Sequence, residues 1–222
     1  MPKEPAPLRI LLADDHDVVR HGLRSLLESH EGWQVCAEAM NGRDAVDLAG
    51  QLLPDIAILD VSMPSLNGLD ATRIIRKASP KTEVLIFTMH ESEQLIREVL
   101  AAGAKGYLLK SDAARSVVAA VEALAAHRPY FNWKVSETIL DGFLRASSTA
   151  PVEGVAGEPL TPREREIVQL LAEGLSSKAV ATRLDISIKT VETHRSTVMR
   201  KLDAHSVVDL VRYALRNNLT SI

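Results

Sequence analysis

The segment IAILDVSMPSLNG, residues 56–68, runs from four apolar residues into Asp60 and then into a stretch that contains Pro64 and Gly68. An apolar run of this length, followed by turn residues, is typical of a buried β-strand. The protein core cannot solvate a carboxylate at the end of such a strand, so Asp60 needs a charged partner or a place at the rim of a sheet.

The first 127 residues repeat this pattern, with each short apolar run followed by a longer amphipathic segment. We predict strands at residues 8–14, 33–39, 56–61, 83–89 and 106–110, and helices at residues 16–30, 41–53, 67–79, 91–103 and 113–127. Apolar runs without alternation are typical of strands that are buried on both faces. Five strand–helix units in succession predict an α/β domain with a doubly wound, five-stranded parallel sheet.

Polar side chains stand at the carboxyl ends of four predicted strands: Asp14 and Asp15, Asp60, Thr88, and Lys110. A sheet order that places these strands side by side brings all five groups into one crevice. Crowded carboxylates repel one another, and an oxygen-ligated ion such as Mg²⁺ relieves that repulsion. A carboxylate can also accept a phosphoryl group, which a metal ion and Lys110 would stabilise. Taken singly, these residues have plainer roles, since Asp15 or Asp17 could cap a helix and a lysine could lie at a solvated edge.

The motifs LLADDH, DIAILDVSMPSLNGLD, VLIFTMH and AGAKGYLLKS resemble the receiver domain of bacterial two-component response regulators, over residues 8–127. The resemblance implies a flavodoxin-like fold with Asp60 as the phosphoacceptor. It implies that Mg²⁺ is bound by Asp14, Asp15, Asp60 and the carbonyl of Ser62. It also implies that Thr88 and Lys110 contact the phosphoryl group, and that Tyr107 turns inward as Thr88 moves.

The alternation of short apolar runs and amphipathic segments ends at residue 127. We predict a linker over residues 128–158, with a short helix at 132–144 and a flexible segment, rich in Ser, Pro, Gly and Ala, at 145–159. A long ordered surface loop is the alternative. Residues 159–222 contain predicted helices at 161–174, 177–184, 188–202 and 205–218, and TPRE at 161–164 has the pattern of a capping box. They predict a small all-α domain of four helices.

Residues 1–158 contain 16 Lys and Arg against 22 Asp and Glu, whereas residues 159–222 contain 10 against 7. A basic C-terminal part favours a polyanionic partner, although a solvated helix face would have the same composition. Residues 177–196 have the proportions of a helix–turn–helix, whose second helix reads the major groove of DNA. The predicted reading face comprises Lys189, Thr190, Glu192, Thr193, Ser196 and Arg200. The predicted phosphate contacts are Lys178, Arg195 and Lys201.

The sequence from residue 160 to residue 202 resembles the LuxR-type DNA-binding domain, and both resemblances together indicate the NarL/FixJ class of transcriptional regulators. This class implies a histidine kinase as phosphoryl donor, promoter DNA as target and a homodimer formed through the last helix. It also implies that the unphosphorylated receiver covers the reading helix. Asp185 stands where the family often has Gly, and Asp tolerates the left-handed backbone that this turn requires.

No apolar run approaches the ~20 residues that cross a bilayer, and the N-terminus lacks an apolar signal core, so we expect a cytoplasmic protein. We also expect no enzymatic activity other than transfer of a phosphoryl group onto Asp60 and slow hydrolysis of that group. Two alternatives stay open at this point. One is a metal-dependent phosphatase, and the other is a DNA-binding or scaffold protein that does not depend on phosphorylation.

Overall fold

The structure is a computed structural model, and it describes residues 6–131 and 160–220. The helix predicted at residues 132–144 and the segment at 145–159 lie outside these ranges, so both stay predictions, as do the domain boundaries that depend on them. Among the described helices, none is long and apolar enough to cross a membrane.

The N-terminal part alternates strands and helices along the chain. The strands are β1 (Leu8–Ala13), β2 (Trp33–Ala39), β3 (Ile56–Leu59), β4 (Glu83–Thr88) and β5 (Gly106–Leu109). The helices are α1 (Asp17–Glu28), α2 (Gly42–Leu52), α3 (Gly68–Ala78), α4 (Glu93–Ala102) and α5 (Ala113–Ala125), with a 3-10 turn at Lys110–Asp112. Side chains of Asn41, Asn67 and Ser92 cap α2, α3 and α4 by accepting backbone N–H groups.

The five strands form one parallel sheet in the order β2-β1-β3-β4-β5. Every residue of β3 and β4 is buried, as expected for strands that are covered by helices on both faces. One apolar cluster on each side of the sheet fills the core. The α/β class and the strand number predicted from the sequence are confirmed.

The C-terminal part is all-helical: α6 (Pro162–Ala172), α7 (Ser177–Leu184), α8 (Ile188–Lys201) and α9 (Val207–Arg216). Thr161 and Glu164 form the predicted capping box, with Pro162 in the first turn. Asp185 ends α7 in the left-handed conformation, with φ of 52°. The turn between α7 and α8 therefore forms with Asp in the place that Gly would occupy at lower cost.

Candidate functional site

Asp60 directly follows β3 and is 3% exposed. Its backbone N–H donates to the carbonyl of Ala13, which continues the pairing of β3 with β1. One of its carboxylate oxygens accepts the N–H of Val61 at 2.7 Å. Because β3 lies between β1 and β4, Asp60 stands at the centre of the carboxyl edge of the sheet, where ligands of doubly wound sheets bind.

Lys110 follows β5 and reaches across this edge to two carboxylates. Its Nζ lies 2.6 Å from Asp14 Oδ2 and 2.9 Å from Asp60 Oδ2. Burial disfavours the charged form of Lys110, but the carboxylates of Asp60 and Asp14 outweigh burial and raise its pKa. Burial also raises the pKa of Asp60; Lys110 opposes this shift, and the charge of Asp14 adds to it. The single positive charge of Lys110 thus only partly compensates the negative charges of the two buried carboxylates.

Three carboxylates and an imidazole form a candidate metal site at this edge. The potential ligand atoms of Asp14, Asp15, His16 and Asp60 all lie within 4.8 Å of one another. Three carboxylates and one ammonium leave a net negative charge, and the oxygen donors match those that Mg²⁺ prefers. The residues therefore fit a divalent cation.

His16 and Arg20 are residues of this site that the sequence analysis did not identify. The Nδ1 atom of His16 lies 2.8 Å from Asp15 Oδ1 and 3.2 Å from Asp14 Oδ1. Arg20, buried on α1, donates to the carbonyl of Asp14 at 2.8 Å. The position of His16 directly after the acidic pair was the available signal. No sequence pattern indicates the role of Arg20, because its contact with Asp14 depends on how α1 packs against the sheet.

Thr88 and Tyr107 both contact the backbone of His90, which follows β4. The hydroxyl of Thr88 accepts the N–H of His90 at 3.2 Å, and the hydroxyl of Tyr107 donates to the carbonyl of His90 at 2.7 Å. Tyr107 is 1% exposed, and burial, followed by the charge of Glu91, raises its pKa. The aromatic ring is therefore in the inward position in this structure.

The β3–α3 loop, residues 60–67, carries the chain from Asp60 into α3. Leu66 N–H donates to the carbonyl of Pro64 at 2.8 Å, and Ser65 between them has φ of 71°. This geometry is a γ-turn with positive φ at its centre, a rare and strained form. A Cβ at Gly68 would overlap the backbone oxygen of Asp60. The loop therefore packs tightly against the chain at Asp60.

The predicted reading helix is α8, and its polar face is open to solvent. The exposed residues on it are Lys189, Thr190, Glu192, Thr193, Ser196 and Arg200. Lys178 on α7 is exposed and Arg195 is half-buried, whereas Val191 and Val198 point into the core of the C-terminal domain. The expectation that the N-terminal domain covers this helix is wrong for this structure, because the N-terminal domain contacts α6 instead.

The prediction that Lys201 contacts a DNA phosphate is wrong for this structure. The Nζ atom of Lys201 lies 3.0 Å from Glu164 Oε2, and the two side chains are 7% and 6% exposed. Glu164 is also the acceptor of the capping box of α6. The ammonium group is directed into the C-terminal domain and away from solvent, so Lys201 links α8 to α6 and is unsuited to a DNA phosphate.

The chain matches two families of known proteins. Residues 10–122 match the response regulator receiver domain, and residues 158–214 match the bacterial regulatory proteins of the luxR family. The oxygen regulatory protein NreC of Staphylococcus epidermidis is 38% identical over 216 residues, which cover 96% of this chain and 99% of that protein. The transcriptional regulatory protein MctR of Rhizobium johnstonii is 33% identical over 218 residues and 98% of both chains.

A solved complex of the response regulator RcsB with DNA is also similar, with 26% identity and a TM-score of 0.58, over 95% of this chain and 98% of that one. The chain therefore belongs to the two-component response regulators of the NarL/FixJ type, which join a receiver domain to a LuxR-type DNA-binding domain. It is a DNA-binding transcriptional regulator.

Proposed function

We propose that Asp60 accepts a phosphoryl group from a histidine kinase and that this step controls DNA binding. The observation that carries the proposal is a buried Asp60 carboxylate that shares Lys110 with Asp14 at the carboxyl edge of the sheet. An Asp60 oxygen would form the new bond to phosphorus while the bond to the imidazole nitrogen of the donor breaks and its electrons stay with that nitrogen.

The other residues of the site would stabilise the transferred group. Asp14, Asp15, Asp60 and the carbonyl of Ser62 would hold Mg²⁺, which supplies positive charge to the phosphoryl oxygens when it is bound. Lys110 would shift from its shared position toward the phosphoryl group. Thr88 would exchange its contact with His90 for one to a phosphoryl oxygen, and Tyr107 would keep its inward position. The chain would act on no substrate other than its own Asp60.

The C-terminal domain would place α8 in the major groove of promoter DNA. Its exposed face (Lys189, Thr190, Glu192, Thr193, Ser196 and Arg200) would read base edges, while Lys178 and Arg195 would contact phosphates. The apolar residues Val207, Val208 and Leu215 are exposed on α9, which supports a symmetric dimer through that helix. A dimer would read two half-sites, and a cytoplasmic location follows from a kinase and promoter DNA as partners.

The experiment is to incubate the full chain and the Asp60→Asn variant with acetyl phosphate and Mg²⁺ and to measure intact mass. We expect the wild-type protein to gain one phosphoryl group and the variant to gain none. The Asp112→Asn variant is a matched control, because Asp112 lies on the 3-10 turn after Lys110 and has no proposed role. An equal gain by wild type and Asp60→Asn would exclude Asp60 as the acceptor.

A further inference from the structure

A cleft of about 480 Å³ lies between α3 and α6, so that each domain supplies one of its walls. Small-molecule sites have volumes of roughly 300–1,000 Å³ and occur preferentially where domains meet. The charged residues that line the cleft are Asp70, Arg73 and Lys77 on α3 and Arg163 and Glu166 on α6. They take no part in the chemistry proposed for the carboxyl edge of the sheet or in the proposed contact with DNA.

On the α3 wall, the carboxylate of Asp70 is shared by two guanidinium groups. It accepts from Arg73 at 2.7 Å and from Arg165 on α6 at 2.8 Å. Within the described residues, Arg73 donates only through Nη1, so the remaining N–H donors of its guanidinium group are available to a further acceptor. Lys77, one turn further along α3, is exposed and forms no ion pair with any residue that the structure describes.

On the α6 wall, the carboxylate of Glu166 is shared in the same way. It pairs with Arg163 at 2.7 Å and also with Arg43 on α2. Burial and the positive charge of Arg43 both lower the pKa of Arg163. The effect of Arg43 means that Glu166 does not fully balance the two guanidinium groups beside it.

The positive groups at the cleft outnumber its carboxylates. Four guanidinium groups and Lys77 surround two carboxylates. Glu98 on α4 also interacts with the charges of Arg73 and Arg165, but it does not line this cleft. Positive charge is in excess even when Glu98 is included, so the cleft attracts anions.

Three apolar side chains complete the lining: Leu66 before α3, Ile74 on α3 and Pro162 at the start of α6. Ile74 is 37% exposed, and Pro162 is exposed as well. Their apolar surface lies beside the cations within one cleft. A ligand that uses both kinds of surface carries anionic groups and a flat apolar ring, and nucleotides combine these two features.

We propose that this cleft binds a nucleotide. Its phosphates contact Arg73, Lys77 and Arg163, and its base packs against Ile74 and Pro162. Guanidinium groups match phosphate oxygens in pairs, and the lysine adds a point charge. Since α3 and α6 form the two walls, a bound nucleotide contacts both domains and stabilises the arrangement in which these helices face each other. Binding at this site needs neither Mg²⁺ nor the proposed phosphorylation.

The test measures binding of ADP and of adenosine to the full chain by isothermal titration calorimetry, at one fixed salt concentration and with EDTA present. Lys77→Glu reverses a charge in the cleft and leaves the ion pairs of Asp70 and Glu166 in place. Lys81→Glu is the matched control, because Lys81 is also exposed, lies four residues further along the chain and does not line the cleft. Both variants change the net charge equally, and a cooperative thermal transition verifies that each is folded.

We expect wild type to bind one ADP per chain and to bind adenosine at least roughly tenfold more weakly. Lys77→Glu should weaken ADP binding by roughly tenfold or more, as the loss of a charge-assisted hydrogen bond implies, whereas Lys81→Glu should bind ADP as wild type does. A folded wild-type protein that binds no ADP would overturn the proposal. Equal weakening in both variants, or adenosine binding as tight as ADP binding, would overturn it as well.

Discussion

At the residue scale, the site depends on how one lysine is shared between two buried carboxylates. Lys110 lies within 2.9 Å of both Asp14 and Asp60, yet burial still raises the pKa of Asp60. A raised pKa means that the charged carboxylate is less favourable in the folded chain than in the unfolded chain. Ionised Asp60 therefore reduces stability near neutral pH, and this cost disappears as the pH falls through the raised pKa.

We predict that Asp60→Asn raises the melting temperature at pH 7 without a divalent ion, by roughly 2–4 °C for ~1 kcal/mol in a chain of this size. The reason is that Asn removes the buried charge while Lys110 keeps Asp14 as a partner. The difference between the two proteins should shrink toward acidic pH, where Asp60 is neutral, and on addition of Mg²⁺, which stabilises the wild type by binding. A lower melting temperature for the metal-free variant at pH 7 would contradict this explanation.

At the scale of the secondary-structure elements, polar residues of helix α8 lie in two different environments. Its N-terminal part presents exposed polar residues, whereas Lys201 in its last turn forms a buried ion pair with Glu164 on α6. Arg200, the neighbouring residue, is exposed. Of these two basic residues, Arg200 is open to solvent and is proposed to face DNA, whereas Lys201 is held inside the C-terminal domain.

We predict that Lys201→Ala destabilises the chain by about 3 kcal/mol, because it leaves the carboxylate of Glu164 buried and without its cation. Arg200→Ala is the matched control and should change stability by less than about 0.5 kcal/mol. Urea unfolding measures the free energy of unfolding of both variants. Equal stability of the two variants would show that the ion pair contributes little.

The contrast between these sites explains what the sequence alone could predict. Asp14, Asp60 and Lys110 were predictable as a group, because the carboxyl ends of neighbouring parallel strands meet whatever the details of packing. The partner of Lys201 was not predictable, since it depends on how α6 and α8 cross. The hydrogen bonds of Gln169 on α6 to the backbone of Met63 and Asn67 depend in the same way on the docking of two domains. No local pattern in the sequence indicates that geometry.

At the scale of the whole molecule, the DNA-binding domain rests on the loop that begins at the proposed phosphorylation site. The reading face of α8 is exposed in this arrangement, so relief of steric occlusion does not explain how phosphorylation would control DNA binding. Pairing of the DNA-binding domains through α9, which we propose, would instead be the step that phosphorylation favours. Two linked domains on two half-sites bind more tightly than one domain on one half-site.

The most direct test of the central claim is the DNA affinity of the full chain with and without acetyl phosphate, for wild type and Asp60→Asn, at one fixed salt concentration. The DNA is a two-half-site sequence that the phosphorylated full chain selects from a random pool. Acetyl phosphate should tighten binding by wild type roughly 5- to 150-fold, the usual range of a coupling between two sites, and leave Asp60→Asn unchanged. If both proteins bound the DNA equally with and without acetyl phosphate, Asp60 would not be the switch.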